Sequence, residues 1–302
     1  MTQDVGSPTH RNVSPYEWFL HLARNHEPRH TFSEGLDFAA WRASTLPAVL
    51  KTLGTPPPTT PPHPELTAQW VNDDISVSRW IIDVLPGLST VVYVNRPLAH
   101  PESEPRPGIL CWAGHTGFGM EPVVGSRATE DVRHYNDQNR TDYGLQMAKA
   151  GFVTFSVDWL GQGHLDDRRR PLHRRVWPGD PCEYFYLAAT MLGMTSLGVN
   201  MAIGRALIDF VTTLPFVDAD RLGVMGLSYG GTLSVWTALT DDRIRAASVI
   251  CYSDMFADFG YRDADFCGSQ VTPSLFDLVD VPELHGLIAP RPLLVEIGAR
   301  DE

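Results

Sequence analysis

The sequence is short of positive charge. Lys and Arg number 24 against 36 Asp and Glu, a formal net charge of −12. Nucleic-acid binders need a basic face, so no nucleic-acid partner is expected. Long apolar runs are absent too. None approaches the ~18 residues of a membrane-spanning helix, and Met1-Thr-Gln-Asp-Val-Gly-Ser-Pro8 carries no charged-then-apolar leader pattern. No membrane partner is expected. Cysteine is scarce, with four residues at 111, 182, 251 and 267 and no C-x-x-C spacing. Cys111 and Cys251 fall in apolar strand-like runs and read as buried thiols. A cytoplasmic chain without disulfides is the expectation. Finally, no histidine follows Asp301; the last one in the sequence is His285. What is present is an ordinary globular composition, 43% hydrophobic and 20% charged over 302 residues.

One stretch organises the rest. Gly226-Leu-Ser-Tyr-Gly230 is a G-x-S-x-G motif. The apolar run Leu222–Met225 precedes it, and Gly231 with the apolar stretch Leu233–Leu239 follows. That order is strand, sharp turn, helix. It is the context in which a strained turn exposes a serine hydroxyl above a sheet. Ser228 is the candidate nucleophile. The helix after it aims its amides at the site where negative charge would develop.

Residues 14–54 show helical spacing at Tyr16, Phe19, Leu20 and Ala23, and again at Phe38, Trp41, Leu46, Val49, Leu50 and Leu53. Six prolines in residues 55–64 then read as a stiff linker that can be neither helix nor central strand. Phe19, Leu20, Trp41 and Leu50 are expected to pack on the core or on a neighbouring subunit. Val77–Val84 and Val91–Val94 flank Pro86-Gly87, a hairpin signal. Ile109–Ala113 is a short buried strand, followed by Gly114-His-Thr-Gly-Phe-Gly119. In that turn His115 reads as a shaping residue, with a role as base the alternative. Helix 143–150, strand 152–158, helix 196–214, strand 246–252 and strand 292–298 alternate as in a parallel, doubly wound sheet. The linking segment 164–190 carries Arg168–Arg170 and Arg174–Arg175 after two aspartates. It reads as a self-paired solvated loop, with an anion clamp the alternative.

These segments together resemble the α/β-hydrolase superfamily over residues 75–302. The resemblance is nearest to its esterase branch of acetylxylan-esterase-like and dienelactone-hydrolase-like proteins. It rests on the elbow, on Gly114-His-Thr-Gly117, on Asp158-Trp-Leu-Gly-Gln-Gly163 and on Ala289-Pro-Arg-Pro-Leu-Leu-Val-Glu-Ile-Gly-Ala-Arg-Asp301. Dienelactone hydrolases proper use a cysteine nucleophile, and Ser228 departs from that. The resemblance implies an α/β fold, a mostly parallel sheet with helices on both faces. Residues 1–64 would be an N-terminal helical attachment with its linker. Residues 65–302 would be a core whose last strand and helix are missing, with cap-like connections near 116–141, 164–195 and 255–285.

The implied activity is that of a serine hydrolase acting on a small-molecule carboxylic ester, with no metal or organic cofactor. Ser228 attacks and Asp301 is the acid, with Asp254 the alternative. The backbone at Tyr229, His115 and Thr116 forms the oxyanion hole. The triad order is Ser, Asp, His. The polypeptide is therefore expected to continue past Glu302 with an eighth strand, a loop bearing the histidine and a helix, and the 302 residues alone are expected to turn over poorly. A hydrolase of a peptide, lactone or C–C bond remains open, as do a non-catalytic ligand- or partner-binding relative and a homo-oligomer.

Overall fold

The computed structural model describes residues 12–166, 181–263 and 266–298. Its centre is one eight-stranded sheet in the order β1-β2-β3-β5-β4-β6-β7-β8. The strands are β1 (Glu65–Asn72), β2 (Ile75–Leu85), β3 (Leu88–Pro97), β4 (Arg106–Trp112), β5 (Val153–Val157), β6 (Val217–Leu227), β7 (Ile244–Ile250) and β8 (Leu293–Glu296). The first three form an antiparallel meander that joins β5 antiparallel. From β5 through β4, β6 and β7 to β8 all pairing is parallel.

Parallel strands are covered on both faces, and their residues show it. Every residue of β5 is buried. Along β4, Leu110 and Trp112 face one layer while Cys111 and Ala113 face the other, the period-two alternation of a strand. The first layer contains α6 (Ser196–Val211) and α7 (Tyr229–Thr240). The second receives Tyr143 and Met147 from α4 (Tyr143–Lys149).

The N-terminal attachment is two helices, α1 (Pro15–Arg24) and α2 (Phe38–Lys51). Ser14 and Asp37 cap them by accepting from the backbone N–H of Glu17 and Ala40. Both are docked. Trp41 is 8% exposed within the main core, and its Nε1 donates to the His30 carbonyl at 2.8 Å. Leu20 is buried and Leu50 packs partly buried against the same core. Phe19 is 51% exposed on this chain, because the buried stripe of α1 runs through Leu20 and Ala23; of the two expected partners, only the neighbouring subunit is left for it. Tyr16 Oη donates to the Arg262 carbonyl and ties α1 to the π-helical turn Phe256–Arg262.

The structure departs from the sequence reading at several elements. Strand β1 is an additional strand, so the run at 292–298 is the eighth strand rather than the seventh. Exposure on nearly all of β1 left no apolar alternation to read. Helix α3 (Glu130–Asn139) is polar and buries only Val132. Helix α5 (Pro181–Met191) sits in the segment read as loop. Strand β6 begins at Val217, ahead of the apolar run Leu222–Met225 that marks it in the sequence. The proline segment is not a free linker: Thr60 N–H donates to the Val84 carbonyl and Asp83 N–H to the Pro62 carbonyl, laying it along β2. Cys251 is not in a strand. It follows β7 with φ of 56° and is half-buried. Among the described residues strand β8 borders β7 alone, and Leu294 and Ile297 are half exposed. The arginines at 168–170 and 174–175 lie outside the described residues.

Truncating Trp41 to Ala should destabilise the protein by about 3–5 kcal/mol, the range for large aromatic core deletions. Phe19→Ala should change stability by about 1 kcal/mol or less, as a half-exposed site should. Urea unfolding midpoints of the two variants check the contrast.

Candidate active site

The elbow forms because two glycines let backbone meet backbone. A Cβ at Gly226 would lie 2.3 Å from the Gly230 carbonyl oxygen, and one at Gly230 would lie 2.4 Å from that of Trp112. Any side chain at either position would drive α7 away from β4 and β6. Between them Ser228 is held at φ 59°, ψ −123°, in the left-handed half of backbone space. Its neighbours over-determine that conformation. Ser228 N–H donates to the Ile250 carbonyl at 2.8 Å, and its carbonyl accepts from Gly231 N–H and Thr232 N–H at 2.7 and 3.2 Å. The serine itself is exposed at the apex. Among the described residues no side chain hydrogen-bonds its hydroxyl.

The loop after β4 passes directly over this apex. A Cβ at Gly114 would stand 2.6 Å from the Leu227 carbonyl oxygen and 3.3 Å from Ser228 Cβ. This close approach brings the backbone of His115 and Thr116 alongside the serine. Tyr229 N–H opens α7, where no intrahelical acceptor exists. Thr116 uses its hydroxyl within the loop, accepting from Phe118 N–H and donating to the Gly119 carbonyl. Tyr143 Oη donates to the Trp112 carbonyl from below. Burial pushes the Tyr143 phenol well up, so it stays a donor.

Asp158 fixes the loop's far side. Its carboxylate is buried, accepts Met120 N–H and His164 N–H at 2.7 Å each, and lies 2.9 Å from His164 Nδ1. A Cβ at Gly119 or Gly163 would collide with it. In the sequence Asp158 stands out only as part of the Asp158–Gly163 motif. Its work here is to bind the β4 loop to the β5 loop.

Ser228 opens into a cavity of about 740 Å³. Gly114, His115, Thr116, Tyr135, Tyr143, Asp254, Arg262 and Asp263 help line it. Asp254 therefore shares the cavity with Ser228, and Asp301 lies outside the described residues. Arg262 pairs with Asp258 at 2.9 Å and Asp263 at 2.7 Å, and those carboxylates hold its guanidinium above the ordinary arginine range. A separate, apolar cavity of about 430 Å³ lies beneath α1, lined by Phe19, Phe256 and Phe276 and not by Ser228.

Among the described residues His115 is the histidine that lines the Ser228 cavity, but its ring is committed elsewhere. It stacks on Tyr229 at 5.1 Å and meets Trp159 edge-on at 5.0 Å. Its Nε2 lies 3.4 Å from Cys182 Sγ and 3.5 Å from Cys267 Sγ. No spacing signal could have joined residues 115, 182 and 267. His285 sits among apolar neighbours on α9 (Val281–Gly286), against Tyr252. Burial holds it below the ordinary histidine value of 6.5.

The sequence matches the Abhydrolase family over residues 6–302, and the chain belongs to that family. Among curated proteins it is 27% identical over 158 residues to YtaP of Bacillus subtilis, named as a candidate hydrolase, covering 52% of this chain and 49% of that one. The chain thus spans about half the length of that relative. Among solved structures it superposes on a candidate acetyl xylan esterase of Bacteroides fragilis with a TM-score of 0.76 and 21% identity, over 94% of this chain and 75% of that one. A glucuronoyl esterase of Solibacter usitatus gives 0.63 and 17%, over 92% and 81%. These likenesses establish the α/β-hydrolase fold.

Asp158→Ala should destabilise the protein by about 1–3 kcal/mol for each backbone N–H left without its acceptor, read from thermal or urea unfolding. His285 makes the folded state resist a proton that the unfolded chain accepts, so stability should fall as the pH drops through about 6.5 and below. His285→Gln should flatten that decline, measured as unfolding midpoints between about pH 7 and 5.

Proposed function

We propose that this protein is a serine hydrolase that cleaves a carboxylic ester of a small polar molecule. The observation that carries the reading is Ser228 at positive φ on an exposed apex, open to the 740 Å³ cavity and overlain by the Gly114–Thr116 loop. Strain of this kind persists only where surrounding contacts enforce it, and it gathers at functional sites.

Ser228 Oγ attacks the acyl carbon as its proton passes to an imidazole. The oxyanion that forms is met by Tyr229 N–H and by the backbone at His115 and Thr116. The imidazolium then protonates the departing alkoxide, leaving an acyl-enzyme. A water repeats the sequence and frees the acid. Asp301 is assigned as the carboxylate that orients the imidazole, with Asp254 the alternative because it lines the same cavity. The triad order of this fold assigns the base to a histidine C-terminal to that acid. His115 is the weaker candidate, since its Nε2 is turned to two thiols. No step requires a cofactor.

The cavity supports a polar substrate. Asp254, Asp263, Arg262 and Tyr135 give it hydrogen-bonding walls, and its volume exceeds what an acetyl group alone needs. The esterase names of the structural relatives agree with ester chemistry.

A fluorophosphonate probe on the full-length polypeptide should label Ser228 alone. Ser228→Ala should abolish labelling and lower kcat on p-nitrophenyl acetate by a factor on the order of a million. Labelling that survives Ser228→Ala ends the assignment. A full-length protein that neither labels nor turns over, yet binds small esters, is instead a non-catalytic binder.

A further inference from the structure

We propose that His115, Cys182 and Cys267 form a binding site for a zinc ion beside the oxyanion loop. The three residues come from three separate elements: the loop after β4, the start of α5, and the turn at residues 267–270 ahead of the short α8 (Leu275–Leu278). Their ligand atoms all lie within 4.8 Å of one another.

The two imidazole-to-thiol separations are those of a coordination shell. Zn–N of ~2.0–2.1 Å and Zn–S of ~2.3 Å at tetrahedral angles put nitrogen and sulfur ~3.5–3.6 Å apart. The observed Nε2–Sγ separations are 3.4 and 3.5 Å. Two thiolates and an imidazole are also the donor set that suits zinc among common divalent ions. Three protein ligands leave the fourth tetrahedral position for water.

The ligands are held from outside. Tyr229 and Trp159 clamp the His115 ring between a stacked and an edge contact. Gly268 N–H donates to Glu183 Oε1 at 2.8 Å, and Ser269 Oγ donates to the Cys182 carbonyl at 3.3 Å, joining the 267–270 turn to α5. Tyr229 Oη donates to the Ser269 carbonyl at 2.9 Å. Cys182 is fully buried and Cys267 half-buried.

Binding balances in charge. Both thiols release a proton, and Zn²⁺ with two thiolates and a neutral imidazole carries no net charge, which suits a half-buried position. The ion would pin the oxyanion loop to α5 and to the 267–270 turn. It would also take the His115 Nε2 lone pair, removing that ring as a general base for Ser228. The site does not depend on the hydrolase reading, and fluorophosphonate labelling tests that reading separately.

The test uses reduced, full-length protein purified without chelator and titrated with Co²⁺. One equivalent should bind and produce intense tetrahedral d–d absorption with thiolate-to-cobalt charge transfer in the near ultraviolet. Equimolar Zn²⁺ should bleach both. Cys267→Ser and His115→Ala, checked for unchanged circular dichroism, should each weaken Zn²⁺ binding by at least the ~10–100-fold seen when only an outer-shell partner is lost. The wild-type titration needs no variant, so a misfolded substitution leaves it intact. Absence of the thiolate–cobalt bands, variants that bind unchanged, or a Cys182–Cys267 disulfide in freshly isolated protein would each overturn the proposal.

Discussion

At the centre of the molecule α7 approaches β4 and β6 so closely that no side chain fits between them. Gly226 and Gly230 meet each other, and Gly230 meets the Trp112 carbonyl. Much of the site follows from this contact. It forces the turn at Ser228 into positive φ and leaves the serine at an exposed apex. It also sets the first N–H groups of α7 beside that serine. The strain at Ser228 is held by parallel pairing of β6 with β4 and β7 and by the Ile250 carbonyl that receives its amide.

The second constraint is the path of the β4 loop. Tyr143 holds its beginning through the Trp112 carbonyl, and Asp158 holds its end through Met120 N–H. Gly114 lets the loop cross the elbow at contact distance. Attachment at both ends fixes the backbone of His115 and Thr116 beside Ser228, as the proposed hydrolase reading requires of donors that must be in place before charge develops. The His115 ring, fixed between Tyr229 and Trp159, adds a third attachment near the middle.

The surrounding elements shape access. The turn Phe256–Arg262 and helix α3 border the Ser228 cavity through Phe259, Arg262 and Tyr135. The N-terminal pair of helices is joined to the same region by the Tyr16–Arg262 bond and by Trp41 in the main core. Arg29 and Asp277 add an ion pair at 2.6 Å, but both side chains are largely exposed and such pairs contribute little.

The sequence by itself determined the elbow, the β4 loop, the alternation of helix and strand, and the docking of α2. Each is a local matter. Glycine spacing sets which turns are open to the chain, and apolar periodicity sets which face is buried. Elements with no buried face to mark them, such as β1 and α3, could not be read that way. Only the tertiary structure decided that the proline segment lies along β2 and that Asp158 ties two loops together. It alone turned the ring of His115 toward Cys182 and Cys267. Those relations join residues far apart in the chain, brought together by the sheet order, and nothing in the local spacing of side chains encodes them.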